Sequence, residues 1–122
     1  MERPILKPGP SHPITVTPSP RRVTVTANGR TIVDTTRAVT LQEASYPAVL
    51  YLPREDTDMT ALEPTESHTY CPYKGQASYF DIVTDEGRLS DAVWSYEAPH
   101  DAVPDIAGRL AFYPDKVQIT EH

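Results

Sequence analysis

VTVTANGRTIV, residues 23–33, decides the fold. Val23-Thr24-Val25-Thr26 and Thr31-Ile32-Val33 are β-branched runs, stiff at the first side-chain torsion and suited to a pleated, half-buried surface. Between them lies Ala27-Asn28-Gly29-Arg30. A type I′ turn needs positive φ at both central residues, and Asn and Gly reach that region most easily. Asn28-Gly29 therefore predicts a tight antiparallel hairpin.

Working outward, the same chemistry recurs. Residues 38–41 are strand-like, and Ala48-Val49-Leu50-Tyr51-Leu52 is a short apolar run stopped by Pro53. Residues 77–84 and 92–96 flank the turn Asp85-Glu86-Gly87, and Pro99 closes the second of them. Residues 105–108 read as a turn or short helix, and residues 110–113 and 117–119 as a last strand pair around Pro114-Asp115. The one clear helix candidate is EDTDMTALE, residues 55–63. Asp56 or Asp58 can cap it, Met59 and Leu62 share a face, and Pro64 ends it. About eight short strands with one short helix predict a mainly β fold, a single compact β-sandwich or half-open barrel.

Six of the 13 prolines fall before residue 21, against only 5 glycines in the whole chain. Proline fixes φ and removes a donor, so residues 1–21 read as an extended proline-rich arm and 22–120 as the β domain. Ile14-Thr15-Val16-Thr17 alternates in the strand manner, which lays the arm along the body. The arm is also the surface through which two copies could pair as a homodimer.

A chain of 122 residues is long enough for one core without disulfide support. The formal charge of −6 repels a phosphate backbone, and the densest basic cluster is only Arg21-Arg22, so no nucleic-acid partner is expected. No apolar run approaches the roughly 20 residues of a membrane span. The start, MERPILKPGPSHP, lacks the apolar region of a secretory signal, which makes the cytoplasm the expected location. One Cys excludes an intramolecular disulfide. The four His and single Cys show no metal-ligand spacing, and there is no Gly-rich phosphate loop, so neither metal nor cofactor is expected.

Chemistry concentrates in two stretches. TYCPYKGQASYF, residues 69–80, holds Cys71. A nucleophilic thiol needs a lowered pKa, which Lys74 could supply, and a base within reach. On a strand His68 would point away from Cys71, and His12 or His100 could approach only through the fold. Cys71 therefore reads better as a small packed residue. Pro72 and Gly75 frame a tight turn that presents Lys74. AVWSYEAP, residues 92–99, is the second stretch. Trp94 and Tyr96, with Tyr51 and Tyr79, could wall a pocket with polar tips. Glu97 reads as an acid/base, a partner for Lys74 or an exposed strand-end carboxylate. Glu43 and Arg54 stand at strand ends. If those ends converge, Glu43, Arg54, Lys74 and Glu97 form one charged cluster.

CPYKG at 71–75, WSYEAP at 94–99 and AFYPD at 111–115, in that order, carry a resemblance. Over residues 22–119 the chain resembles the bacterial family of domain of unknown function 427, also carried under a nucleotidyltransferase-like label. The arm resembles an extension found in a subset of that family. The resemblance implies a compact, tent-like β domain in small cytoplasmic bacterial proteins, and no established activity. No pair of carboxylates with a Gly-Ser turn marks a nucleotide-transfer site here. The counterparts of the family motifs are Glu43, Tyr51, Pro53, Arg54, Cys71, Pro72, Lys74, Gly75, Tyr79, Trp94, Tyr96, Glu97 and Pro99.

Three functions fit these residues. The favoured one is a binding module: Tyr51, Tyr79, Trp94 and Tyr96 wall a pocket, and Lys74 or Arg54 orients a small polar or anionic ligand, with Glu43 and Glu97 nearby. The second is a small-molecule enzyme with Glu43 or Glu97 as general acid/base, Lys74 as electrostatic stabiliser and Cys71 as a less favoured nucleophile. The third is a structural or interaction domain with no ligand.

Overall fold

The computed structural model describes residues 3–122; Met1 and Glu2, the start of the arm, lie outside the described residues. The strands run in the order β1 (Ile14–Pro18), β2 (Val23–Ala27), β3 (Arg30–Thr35), β4 (Val39–Glu43), β5 (Val49–Tyr51), β6 (Leu62–Cys71), β7 (Gly75–Thr84), β8 (Gly87–Ser95), β9 (Ala111–Phe112) and β10 (Gln118–Glu121). They form three open antiparallel sheets, ordered β1-β4-β5, β10-β2-β3 and β6-β7-β8-β9, and none closes into a barrel. The mainly β architecture is the one expected from the hairpin and its neighbours.

The hairpin forms as its turn residues dictate. Asn28 has φ 51° and Gly29 φ 79°, and Ala27 pairs with Arg30 across them. Pairing slips by one residue after Val25, so Ile32 is the bulged residue between Thr31 and Val33. Without a bulge, consecutive residues would face opposite sides of the sheet. With it, Ile32 and Val33 are both buried.

The expected helix at residues 55–63 does not form. Two separate single-turn 3-10 segments, Arg54–Asp56 and Met59–Ala61, take its place, and Leu62 and Glu63 already belong to β6. Tertiary pairing overrides the local preference. Thr57 is extended and bridges Val33, while the Asp58 amide donates to the Ile32 carbonyl at 2.8 Å. Asp58 does act as a cap, but of the second turn, accepting from the Thr60 amide.

Two strands join the eight read from sequence. β1 is the alternating part of the arm, laid against β4 with Val16 opposite Leu41. β6 is an edge strand of ten residues. Both edges carry prolines, Pro18 and Pro64, where a missing ladder donor does least harm. Pro64 lies where the β6–β7 register shifts. Proximal to β1, the Leu6 amide donates to the Pro72 carbonyl at 3.0 Å, and the Tyr70 hydroxyl donates to the Pro4 carbonyl at 2.6 Å.

Two apolar clusters hold the sheets together. One gathers Val23, Val25, Ile32, Leu52, Ile82 and Val93 between the β10-β2-β3 and β6-β7-β8-β9 sheets. The other joins Leu41 and Tyr51 to Ala77, Tyr96, Ile106 and Ala111. The second cluster lies behind the site described next.

Candidate functional site

Glu43 is the last residue of β4, where Ala44 turns the chain with φ 47°. The Ala44 amide donates to the Pro13 carbonyl at 2.7 Å, and the Tyr46 amide donates to the Glu43 carbonyl at 2.9 Å. These bonds fix the carboxylate at the junction of the arm and the β4–β5 turn. Lys74 arrives from the β6–β7 turn. Its Nζ donates to Glu43 Oε1 at 2.5 Å and stands 5.8 Å from the centre of the Tyr96 ring. The side chains of Lys74 and Glu43 are only 14% and 12% exposed.

A third member comes from the arm. Gly9 and His12 exchange backbone hydrogen bonds in a tight turn, which presents the His12 ring stacked on Tyr73 at 3.9 Å and 9°. His12 Nε2 donates to Glu43 Oε2 at 2.8 Å. Burial works to raise the Glu43 carboxyl, but the bonds from Lys74 and His12 outweigh it and hold the group below its ordinary value. Glu43 is therefore an anion clamped between an ammonium and an imidazole.

The turn that carries Lys74 is itself clamped. The His100 amide donates to the Lys74 carbonyl at 2.9 Å, and His100 Nδ1 donates to the Pro72 carbonyl at 3.1 Å. Gly75 has φ 114°, and a Cβ there would meet the His100 ring at 3.4 Å and the Ala98 carbonyl at 3.5 Å. Gly75→Ala is expected to lower stability by about 1–2 kcal/mol, because an L side chain is strained at that φ even though its Cβ would make only ordinary contact with the clamp. A urea titration of variant and wild type checks it.

Glu43 and Lys74 line one end of an open cleft of about 570 Å³. Its other walls are apolar or aromatic: Leu41, Val49 and Leu50 from β4 and β5, Trp94 from β8, Phe112 from β9 and Ile119 from β10. Exposed Tyr46 stands at its rim, its carbonyl held by Gln42 Nε2 at 2.6 Å.

The remaining site residues read from sequence divide between the core and a separate ion pair. Trp94 alone of the four aromatics lines the cleft, and its indole donates to the Tyr51 hydroxyl at 3.2 Å. Tyr51 and Tyr96 are core residues behind it, 1% and 6% exposed. Burial pushes the Tyr51 phenol up to about 12 and raises that of Tyr96 as well, so both stay protonated. Tyr79 borders a different pocket, with Ser67, Asp91 and Tyr113, and its hydroxyl shares a 2.9 Å hydrogen bond with Thr69. Cys71 is half-buried against the Tyr51–Tyr96 cluster. The two imidazoles that could have served it are engaged elsewhere, His12 by Glu43 and His100 by the Pro72 carbonyl.

Arg54 and Glu97 pair with each other and not with Glu43 and Lys74. Arg54 Nη2 reaches both Glu97 oxygens at 2.6 and 2.7 Å, and its Nε donates to the Gly108 carbonyl at 2.7 Å. Ser95 Oγ donates to Glu97 Oε2 at 2.6 Å. This network ties the turn after β5 to the end of β8, outside the cleft. Arg54 and Glu97 are 35% and 47% exposed, so solvent weakens the pair and Glu97→Gln is expected to cost no more than about 1 kcal/mol. Thermal melts at low and high salt measure that cost and its screening.

Sequence reasoning missed His12 and Tyr46 as site residues. His12 lies 31 positions before Glu43, and only the β1–β4 pairing brings them together. The alternation in Ile14–Thr17 was the available signal, since a strand there must carry its flanking residues onto the body. No curated protein matches the chain. A family model does, from residue 15 inside β1 to residue 122, and it takes in strands of all three sheets along with Glu43, Lys74 and Trp94; the chain belongs to the family described as a domain of unknown function, DUF427.

Proposed function

We propose that this DUF427 protein binds a small polar or anionic molecule in the cleft beside Glu43, Lys74 and Trp94. The observation that carries the proposal is a nearly buried Lys–Glu pair set in the wall of an otherwise apolar cleft. Withdrawing two charges from water is costly, and their mutual attraction alone often fails to offset the cost. The pair is more useful as a recognition device. An ammonium has three donors and Glu43 takes one, so Lys74 keeps donors for a ligand carbonyl or carboxylate. The apolar walls and the Trp94 face supply contact area.

A thermal-shift screen against nucleotides, sugars and organic acids tests this reading, with hits quantified by calorimetry. Lys74→Ala, if folded, is expected to weaken a hit at least tenfold, while Glu97→Gln leaves it unchanged. A screen without hits, or hits indifferent to Lys74→Ala, overturns the proposal. One observation favours an enzymatic version of the same site. A carboxylate between imidazole and ammonium is a proton-transfer array, with Glu43 as the base and Lys74 stabilising developing negative charge. Conversion of a bound compound, lost in Glu43→Gln while binding persists, would select that version.

A further inference from the structure

Glu43 and Lys74 meet the cleft as a pair, and a pair selects differently from a lone charge. We infer that the ligand is a zwitterion with an apolar body, an α-amino acid with a large apolar or aromatic side chain. Its carboxylate sits on Lys74 Nζ and its ammonium on Glu43. The inference rests on the binding proposal and narrows it.

The first argument is charge selection. Lys74 Nζ and Glu43 Oε1 are 2.5 Å apart, so any group close to one is close to the other. A plain anion attracted by Lys74 is repelled by Glu43, and a plain cation meets the converse conflict. A ligand that carries both charged groups on one carbon satisfies both at once. The second argument is hydrogen-bond stoichiometry. A carboxylate offers about four acceptor positions and an ammonium three donors. Glu43 has given one position to Lys74 and one to His12, which leaves room for a ligand ammonium. Lys74 has given one donor to Glu43, which leaves donors for a ligand carboxylate.

The third argument is the rest of the cleft. Beyond the pair the walls are Leu41, Val49, Leu50, Trp94, Phe112 and Ile119. Among the described lining residues the other polar tips are the Trp94 indole, spent on Tyr51, and the Tyr46 hydroxyl at the rim, few partners for the many hydroxyls of a sugar or nucleoside. An apolar or aromatic side chain displaces water from such walls with little penalty, and about 570 Å³ accommodates one. His12 adds a positioning role. Stacked on Tyr73, it holds Glu43 from the side opposite Lys74, so the carboxylate cannot swing away when a ligand carboxylate competes for the lysine.

Calorimetry with L-phenylalanine and two half-ligands, 3-phenylpropionate and phenethylamine, separates the possibilities. L-Phenylalanine is expected to bind at least tenfold more tightly than either half-ligand, and glycine not to bind measurably. In Lys74→Met the advantage over phenethylamine should vanish, and in Glu43→Gln the advantage over 3-phenylpropionate. Equal or tighter binding of a half-ligand to the wild type overturns the zwitterion inference and leaves the binding proposal standing. So does binding of none of the three when the broader screen yields other hits that depend on Lys74. No binding by any compound removes both. If a charge variant fails to fold, Ile119→Trp fills the cleft without touching the pair, and undiminished phenylalanine binding to it overturns the assignment.

Discussion

Tyr51→Ala is expected to lower stability by about 3–5 kcal/mol, the largest effect of any single change near the site. Tyr51 is 1% exposed and stands in the cluster that joins β4 and β5 to β7 and to Ile106. Truncation leaves a cavity among close-packed neighbours. It also strips the Trp94 indole of its acceptor, so a donor that is partly withdrawn from water loses its partner. Tyr51→Phe isolates that second effect. It keeps the ring, which meets Trp94 edge-on with centroids 6.4 Å apart, and removes only the hydroxyl. The expected cost is about 1 kcal/mol. Since Trp94 is the only tryptophan, its fluorescence reports directly on both variants in the same urea titrations.

Glu43→Ala is expected to cost about 2–3 kcal/mol at neutral pH, because it strands a nearly buried ammonium and releases His12 from the body. Glu43→Gln keeps the shape and serves for the pH dependence. The folded protein holds the Glu43 carboxyl below the ordinary 4.5, with burial opposing and the Lys74 and His12 bonds prevailing. A depressed carboxylate stabilises the fold at pH values above 4.5, and the stabilisation is lost as the pH falls through 4.5 toward the folded value. The wild type should therefore lose stability on acidification faster than Glu43→Gln does. The difference is partial, since Asp81, held low by the Asp91 amide and Arg88, and Asp56, held low by Thr35 and Arg37, contribute to the same acid limb. Melting temperatures between pH 3 and 7 give the comparison; parallel curves would remove Glu43 from the account.

The parts of the fold that were legible in the sequence are those whose information is local. Asn28-Gly29 needs no tertiary context to specify its turn, and its two positive φ angles are as the residues demand. The β7–β8 hairpin is of the same kind, turned by Asp85-Glu86 with Gly87 at φ 137°. β6 was illegible because LEPTESHTYC is an edge strand with much of its surface in water, so neither apolar alternation nor β-branched density marks it. The helix expected at residues 55–63 failed because a cap and two apolar residues three apart are weak signals. A bridge from Thr57 to Val33 outweighs them.

The site was legible by half for a similar reason. Pro72 and Gly75 bracket Lys74, and that local frame was readable as a device for presenting the lysine. The partner of Lys74 was not. Glu43 and Glu97 were equally plausible from strand ends, and the choice belongs to sheet topology: β4 carries Glu43 to Lys74, while Glu97, two residues past the end of β8, faces Arg54. His12 required knowing that the arm docks.

The pairing of β10 with β2 sets an order of events during synthesis. Glu121 sits opposite Val23, so most of the described chain lies between partners in one sheet. The β2–β3 hairpin can close as soon as it is made, but one of its edges stays open until residues 118–121 emerge. Ile119, a wall of the cleft, arrives with them. From the closing of that hairpin until residues 118–121 are made, the nascent chain carries an unsatisfied strand edge and has no complete cleft. Slow elongation between the codons for β3 and β10 would lengthen exposure to edge-to-edge aggregation, and a molecule that needed the cleft could not relieve it, since the cleft waits for Ile119.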